Sequence, residues 1–232
     1  MARAIYALLV GIDAYAPPVR PLRGCAHDVA AAAALLRARA AAEGAALHLV
    51  TLVDAAATRD AVVDGLRGHL ARARRGDAAV FYFSGHGSQQ PCAPELAHLE
   101  PDGLDETLVC HDSRAPGRYD LADKELGALL AAVAAKGAHL LAVLDCCHAG
   151  SGTRADAPGT AVRRTPNDAR PRPADSYAVP AAALRPADAS AGPVGAPVGA
   201  PVGAPVGAPA GARLPSDWLA APSADAVVLA AC

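Results

Sequence analysis

The sequence predicts a parallel α/β fold, on three observations. Short apolar runs without polar alternation recur through the first two thirds of the chain, at Ile5–Ile12, Ala78–Phe83 and His139–Leu144. Alanine- and leucine-rich segments of helical character lie between them. Two of the runs lead straight into small and reactive residues, Ser84-Gly85-His86-Gly87-Ser88 and Asp145-Cys146-Cys147-His148-Ala149-Gly150. A short run that is apolar throughout reads as a strand buried on both faces, the condition of a parallel sheet. Strands that alternate with helices imply right-handed crossovers.

Ile5–Ile12 reads as the first strand, and Asp13 to Gly24, with Pro17, Pro18 and Pro21, as a loop. Helix signals run from Asp28 through Ala30–Ala42 and stop at Gly44, and Leu47–Val53 is a second strand. Thr58 can cap a helix over Arg59–Arg74 that sets Val62, Val63, Leu66 and Leu70 on one face and ends at Gly76. Ala78–Phe83 is the third strand, and residues 88–120 form a long excursion, acidic around Glu100–Glu106. Leu121–Lys136 is the next helix, and the strand His139–Leu144 follows it.

After Gly150 the character changes. Residues 151–222 are proline-rich with little periodicity, and 193–209 repeat Pro-Val-Gly-Ala. Such a composition buries too little surface to fix its backbone, so it reads as a disordered linker. Ala226–Ala231 then reads as one more strand, just before Cys232.

At 232 residues the chain can bury one sizeable core. A net charge of −2 with both signs interspersed gives no reason to expect a nucleic-acid partner. The six cysteines form no CxxC pair and no regular framework, which points to a reducing, cytoplasmic setting over a disulfide scaffold. Arg3, the apolar Ala4–Ile12 and Ala14-Tyr15-Ala16 imitate a signal peptide, but the basic region is a single Arg and Asp13 interrupts the segment. Leu126–Ala135 is the longest other apolar run and is too short to span a bilayer, so no membrane partner is expected.

Chemistry is expected where the strands end, because ligands collect at the carboxyl edge of an open α/β sheet. A Cys there is a candidate nucleophile, and an imidazole is its usual base. Neighbouring strands ending in His86 and in the Cys146-Cys147 pair would bring thiol and imidazole together. The glycines around His86 allow close approach of a substrate, and the Gly87 amide could join that of Cys147 as an oxyanion hole.

Tyr82-Phe83-Ser84-Gly85-His86-Gly87 followed by Asp145-Cys146-Cys147-His148-Ala149-Gly150 resembles the caspase-like cysteine peptidases, and among them the metacaspases and their short bacterial relatives. Leu22-Arg23-Gly24-Cys25-Ala26-His27-Asp28 is similar to a third motif of that family, and Asp105-Glu106-Thr107-Leu108 to a fourth that forms a small strand. The resemblance covers roughly residues 3–154 and implies a caspase-like three-layer α/β/α fold with a mostly parallel sheet, incomplete at its C-terminus. Residues 1–150 would be the catalytic domain, 151–222 the linker, and 223–232 the start of the smaller subunit region.

The resemblance makes Cys147 the nucleophile, His86 the base and Cys146 an inward-facing strand residue. Asp28 and Asp145 would line the S1 pocket, helped by Ser84. Paired carboxylates suit a guanidinium or ammonium, so protein or peptide substrates would be cut after Arg or Lys through a thioester. Arg163, Arg164, Arg170, Arg172, Arg185 and Arg213 become candidate self-processing sites. Many relatives respond to calcium; Asp102 and Asp123 stand near matching acidic positions, but Lys124 and Arg154 replace others, which argues against a metal. The competing reading is a non-catalytic caspase-like scaffold or binding domain. A partner chain could complete the sheet.

Overall fold

The computed structural model describes residues 3–146, 163–184 and 226–231. Its centre is a parallel sheet built from β1 (Ala4–Gly11), β2 (Ala46–Val53), β3 (Ala78–Ser84), β7 (His139–Asp145) and β8 (Ala226–Ala231), in the order β2-β1-β3-β7-β8. Between β3 and β7 the chain makes a three-stranded antiparallel sheet from β4 (Gly87–Pro91), β5 (Leu104–Leu108) and β6 (Leu121–Ala122). The sequence reading expected only the small strand at 105–108 inside this excursion.

Helix α1 (Cys25–Glu43) covers one face of the central sheet, where Val29 and Ala33 pack on Ala7 and Leu9. On the opposite face α2 (Arg59–Asp64) and α3 (Asp123–Ala134) bury Val62, Leu126 and Leu130 against Leu8, Phe81 and Leu144. Each of those side chains, fully withdrawn from water, contributes about 1.5–3 kcal/mol. This is the expected α/β/α layering. Burial on both faces holds for β1, whose Ala7, Leu8, Leu9 and Val10 are all fully covered. It does not hold for β7, where Leu140, Ala142 and Leu144 are buried and Leu141 and Val143 are half-buried. The reason is coverage: α1 lies over β1, β2 and β3, and among the described residues no helix covers the corresponding face of β7.

Two other boundaries differ from the sequence reading. Helix α1 starts three residues early, at Cys25, because Asp13 accepts hydrogen bonds from the Cys25 and Ala26 amides at 2.9 and 3.0 Å. Gly11 makes that start compatible with the strand below, since a Cβ there would lie 2.7 Å from the Cys25 carbonyl oxygen. The helix expected over 59–74 is α-helical only to Asp64; it continues as a π turn over Gly65–His69 and a 3₁₀ turn over Leu70–Arg72. At its start Thr58 caps the helix as expected, accepting from the Ala61 amide at 3.2 Å.

The linker expectation fails for 163–184. This segment carries two short 3₁₀ turns and packs across the domain through Arg172, Tyr177 and Leu184, all buried. The rest of the stretch read as linker, including the Pro-Val-Gly-Ala repeat, lies outside the described residues.

Candidate active site

The site is assembled by strand register. Ser84, the last residue of β3, is paired with Asp145, the last of β7, and with Gly11 of β1. The chain therefore leaves three neighbouring strands at one level. His86 follows Ser84 by two residues and Cys147 follows Asp145 by two. Cys147 and His148 lie outside the described residues, so the structure describes His86, Gly87, Ser84, Asp28 and Asp145 of the expected set. Cys146 is buried, as an inward-facing strand residue should be.

His86 is held from three sides. Its amide donates to the Tyr15 hydroxyl at 2.7 Å, and the Tyr15 ring lies tilted against the imidazole at 4.9 Å between centroids. Its Nε2 lies 2.9 Å from the Arg20 carbonyl oxygen. A carbonyl can only accept, so Nε2 carries the proton and Nδ1 is left as the basic lone pair. Nδ1 is buried and makes no hydrogen bond. Burial pushes the imidazole pKa below its ordinary value, against a smaller upward pull from the backbone of Arg20 and Arg163. The ring is therefore neutral at neutral pH. Gly85 keeps this arrangement open, because a Cβ there would sit 2.6 Å from the Tyr15 hydroxyl. Tyr15 and Arg20 were invisible as site residues in the sequence: they belong to a proline-rich loop with no motif of its own.

Asp28, Ser84 and Asp145 converge as expected, and a fourth side chain lies among them. Arg163 Nη2 is 2.6 Å from Asp28 Oδ2, and Nη1 donates to Ser84 Oγ at 2.7 Å and to Asp145 Oδ2. Ser84 in turn donates to Asp28 Oδ2 at 3.2 Å. Both carboxylates hold the guanidinium protonated more firmly than usual, overcoming its partial burial. Beneath the cluster the Cys25 thiol is pushed up to about 11 by burial, which removes it as a nucleophile at neutral pH.

The backbone of the same segment lies along β4. The Gly87 amide donates to the Arg163 carbonyl at 3.0 Å, Thr165 N–H donates to the Gly87 carbonyl at 3.2 Å, and Asp168 N–H donates to the Gln89 carbonyl at 2.9 Å. Arg114 ties the two together, donating to Ser88 Oγ at 2.9 Å and to the Pro166 carbonyl at 3.2 Å while it pairs with buried Asp120 at 2.8 Å. Beyond Asp168 the segment is anchored by ions. Arg172, fully buried, pairs with Glu125 at 2.7 Å and lies 3.6 Å from the Tyr177 ring centroid. The Tyr177 hydroxyl donates to Asp105 at 2.6 Å.

One acidic group could be considered for a cation. Glu100, Asp105 and Asp123 present oxygens within 4.8 Å of one another. Lys124 already fills the gap: its Nζ is 2.7 Å from Glu100 Oε1 and bonds Asp105 Oδ1. Burial opposes its charge, yet Asp105 and Glu100 raise its pKa above the ordinary value. A protonated amine at the centre does not fit a hard divalent cation. Asp102 is not among these acids; it accepts from the Leu104 amide at 3.0 Å. Arg154 lies outside the described residues. Among the described residues no helix is long and apolar enough to cross a membrane.

Comparison with known proteins bears directly on this edge of the sheet. Residues 6–158 match the family described as metacaspase, peptidase C14 domain. Metacaspase-1 of Mycosarcoma maydis is 34% identical over 158 residues, which is 66% of this chain and 37% of that protein. Metacaspase-1 of Schizosaccharomyces pombe is 32% identical over 150 residues, 62% of this chain and 33% of that protein. The crystal structure of protein GSU0716 from Geobacter sulfurreducens is similar with a TM-score of 0.51 at 32% identity, covering 64% of this chain and 52% of that one. The match thus spans little more than a third of these two curated relatives. The shared stretch runs from β1 through the strand ends just described, and on that ground the chain belongs to the metacaspase, peptidase C14 family.

Proposed function

We propose that this chain is a cysteine endopeptidase that cuts after Arg or Lys, with Cys147 as nucleophile and His86 as base. The observation that carries the reading is the placement of Arg163. Its guanidinium sits between Asp28 and Asp145 while its carbonyl accepts from the Gly87 amide. That is how a basic P1 residue would be held with its scissile carbonyl on an oxyanion donor. Charge-assisted hydrogen bonds of this kind are the strong ones, which is why two carboxylates can set P1 preference.

The mechanism follows from the tautomer of His86. Its Nδ1 takes the Cys147 proton as the sulfur attacks the scissile carbonyl carbon. The oxygen, now negative, accepts from the Gly87 and Cys147 amides, a contribution of about 2.7–4 kcal/mol for each such donor. The carbon–nitrogen bond breaks, and His86 delivers the proton to the leaving amine. Water then hydrolyses the thioester and returns the proton to the thiol. The Arg20 carbonyl keeps the ring in the required tautomer throughout.

No metal enters this scheme, and we propose that Lys124 supplies the positive charge the acidic cluster requires. Substrates are proteins or peptides with a basic P1 residue, met in a reducing cytoplasm. The test is hydrolysis of fluorogenic peptides bearing Arg, Lys or Asp at P1, by the wild-type chain and by Cys147→Ala, with and without calcium. Cleavage after Arg or Lys that requires Cys147 and ignores calcium is expected. A folded wild-type protein that cleaves none of them would turn the reading to a non-catalytic scaffold.

A further inference from the structure

We propose that the Arg163–Arg164 bond is this chain's own first substrate: Arg163 fills the basic pocket until the bond is cut, and the segment after the cut stays bound. The proposal rests on the peptidase reading above and adds to it one bond and one fate for the product.

The choice among the arginines follows from what each already does. Arg163 alone among the described ones has both its guanidinium between Asp28 and Asp145 and its carbonyl on the Gly87 amide. Arg164 is exposed. Arg170 pairs with Asp168 at 2.6 Å, and Arg172 is consumed by Glu125 in the interior. Arg185 and Arg213 lie outside the described residues.

Polarity decides where the cut falls. The segment adds to β4 as a parallel extended strand, with Gly87 bridging Arg164. The carbonyl carbon presented to the nucleophile is therefore that of Arg163, and Arg164 provides the leaving amine. The Cys147 sulfur bonds to that carbon, the bond to Arg164 nitrogen breaks, and the proton passes through His86 to the new amine. Water then leaves a carboxylate on Arg163 and restores the thiol.

The two sides of the cut are held unequally. Arg163 is anchored by its pocket contacts and by the Gly87 amide. The C-terminal side is held by the Thr165 and Asp168 amides, by Arg170 and by the buried Arg172 and Tyr177. Once the peptide bond is gone, Arg163 can leave the pocket while Thr165–Leu184 remains part of the fold. The pocket then opens to other substrates.

The experiment uses the full chain as wild type, Cys147→Ala, Arg163→Gln and Cys147→Ala/Arg163→Gln. Intact mass, N-terminal sequencing and size exclusion follow the cut, and titration with the fluorescent amidine 4-aminobenzamidine reads pocket occupancy without catalysis. Wild type should yield two fragments, one beginning at Arg164, that elute together. Cys147→Ala should stay whole, and Arg163→Gln should be uncut at this bond. The double variant should bind the amidine at least tenfold more tightly than Cys147→Ala. A wild-type chain that stays whole while hydrolysing Arg peptides overturns the proposal and leaves the peptidase reading standing, as does a cut elsewhere with this bond intact. Equal amidine affinity in the two Cys147→Ala proteins also overturns it. Failure of every variant both to bind the amidine and to cleave basic peptides removes the peptidase reading and the proposal together.

Discussion

Replacing Asp28 and Asp145 by asparagine, singly and together, should erode the preference for Arg at P1 by an amount the structure bounds. Each carboxylate makes one close contact with the Arg163 guanidinium, at 2.6 Å in the case of Asp28. A hydrogen bond to a charged group is worth about 1.5–3 kcal/mol. Water reaches the cluster, since the Asp28 and Asp145 side chains are 32% and 35% exposed, so the lower part of that range applies. About 1.5–2 kcal/mol per carboxylate corresponds to a loss of roughly 10–30-fold. The two acids share one guanidinium and Ser84, so their effects are not independent, and the double variant should lose about 100-fold or more.

The assay is kcat/KM for a pair of peptides with Arg or citrulline at P1, because citrulline keeps the shape and drops the charge. It is best run in an Arg163→Gln background, where no internal arginine competes for the pocket. Arg cleavage should fall while citrulline cleavage holds, which also checks that fold and nucleophile are intact. If the Arg-to-citrulline ratio of the double variant stays within threefold of its parent, the assignment of these carboxylates to the P1 pocket is wrong.

Three other outcomes are expected. Arg172→Ala removes a fully buried cation from Glu125 and from the Tyr177 ring; at about 3–5 kcal/mol for breaking a buried pair, the melting temperature should drop by about 6–20 °C, and a drop under about 3 °C in a circular-dichroism melt would contradict the anchoring role. Lys124→Ala should destabilise the fold similarly and make its melting temperature rise with added calcium, whereas the wild type should ignore calcium; a calcium response in the wild type would count against the lysine as internal cation. His86 is held neutral by burial, so the acid limb of the pH–rate profile should fall below the ordinary histidine value of about 6.5. The stability sign agrees: below about pH 6.5 the unfolded chain takes up the proton before the folded one does, so stability falls as pH drops from there through the lowered pKa and is unaffected above it. An acid limb at or above 6.5 would refute the buried, neutral imidazole.

Much of the fold was legible because its signals are local. The apolar runs that became β1, β3 and β7 needed only side-chain hydrophobicity, and the helix between β1 and β2 needed only its alanines and Gly44. The small sheet was harder to see, since β4 begins immediately after His86 and reads Gly-Ser-Gln-Gln-Pro, polar and without a strand pattern. The packing of 163–184 was illegible for a different reason. A composition argument counts apolar surface, and this segment is held chiefly by ions and one aromatic ring. Its partners, Glu125, Asp105 and Gly87, lie far away in sequence.

The sequence by itself determined the parallel α/β layering, the family, and the residue types waiting at the strand ends: an imidazole after β3 and an acid and two thiols at the end of β7. Those follow from hydrophobic runs and short motifs, which are written into neighbouring residues. Only the tertiary structure decided what meets what. It set Ser84 level with Asp145, gave His86 its tautomer through the Arg20 carbonyl, placed Lys124 among the acids, and put Arg163 between Asp28 and Asp145. Each of these is a charge or a polar atom finding its partner across a large sequence separation. A buried or half-buried charge must be paired to be tolerated, but which residue pairs with it is settled by chain topology, and no local pattern records that.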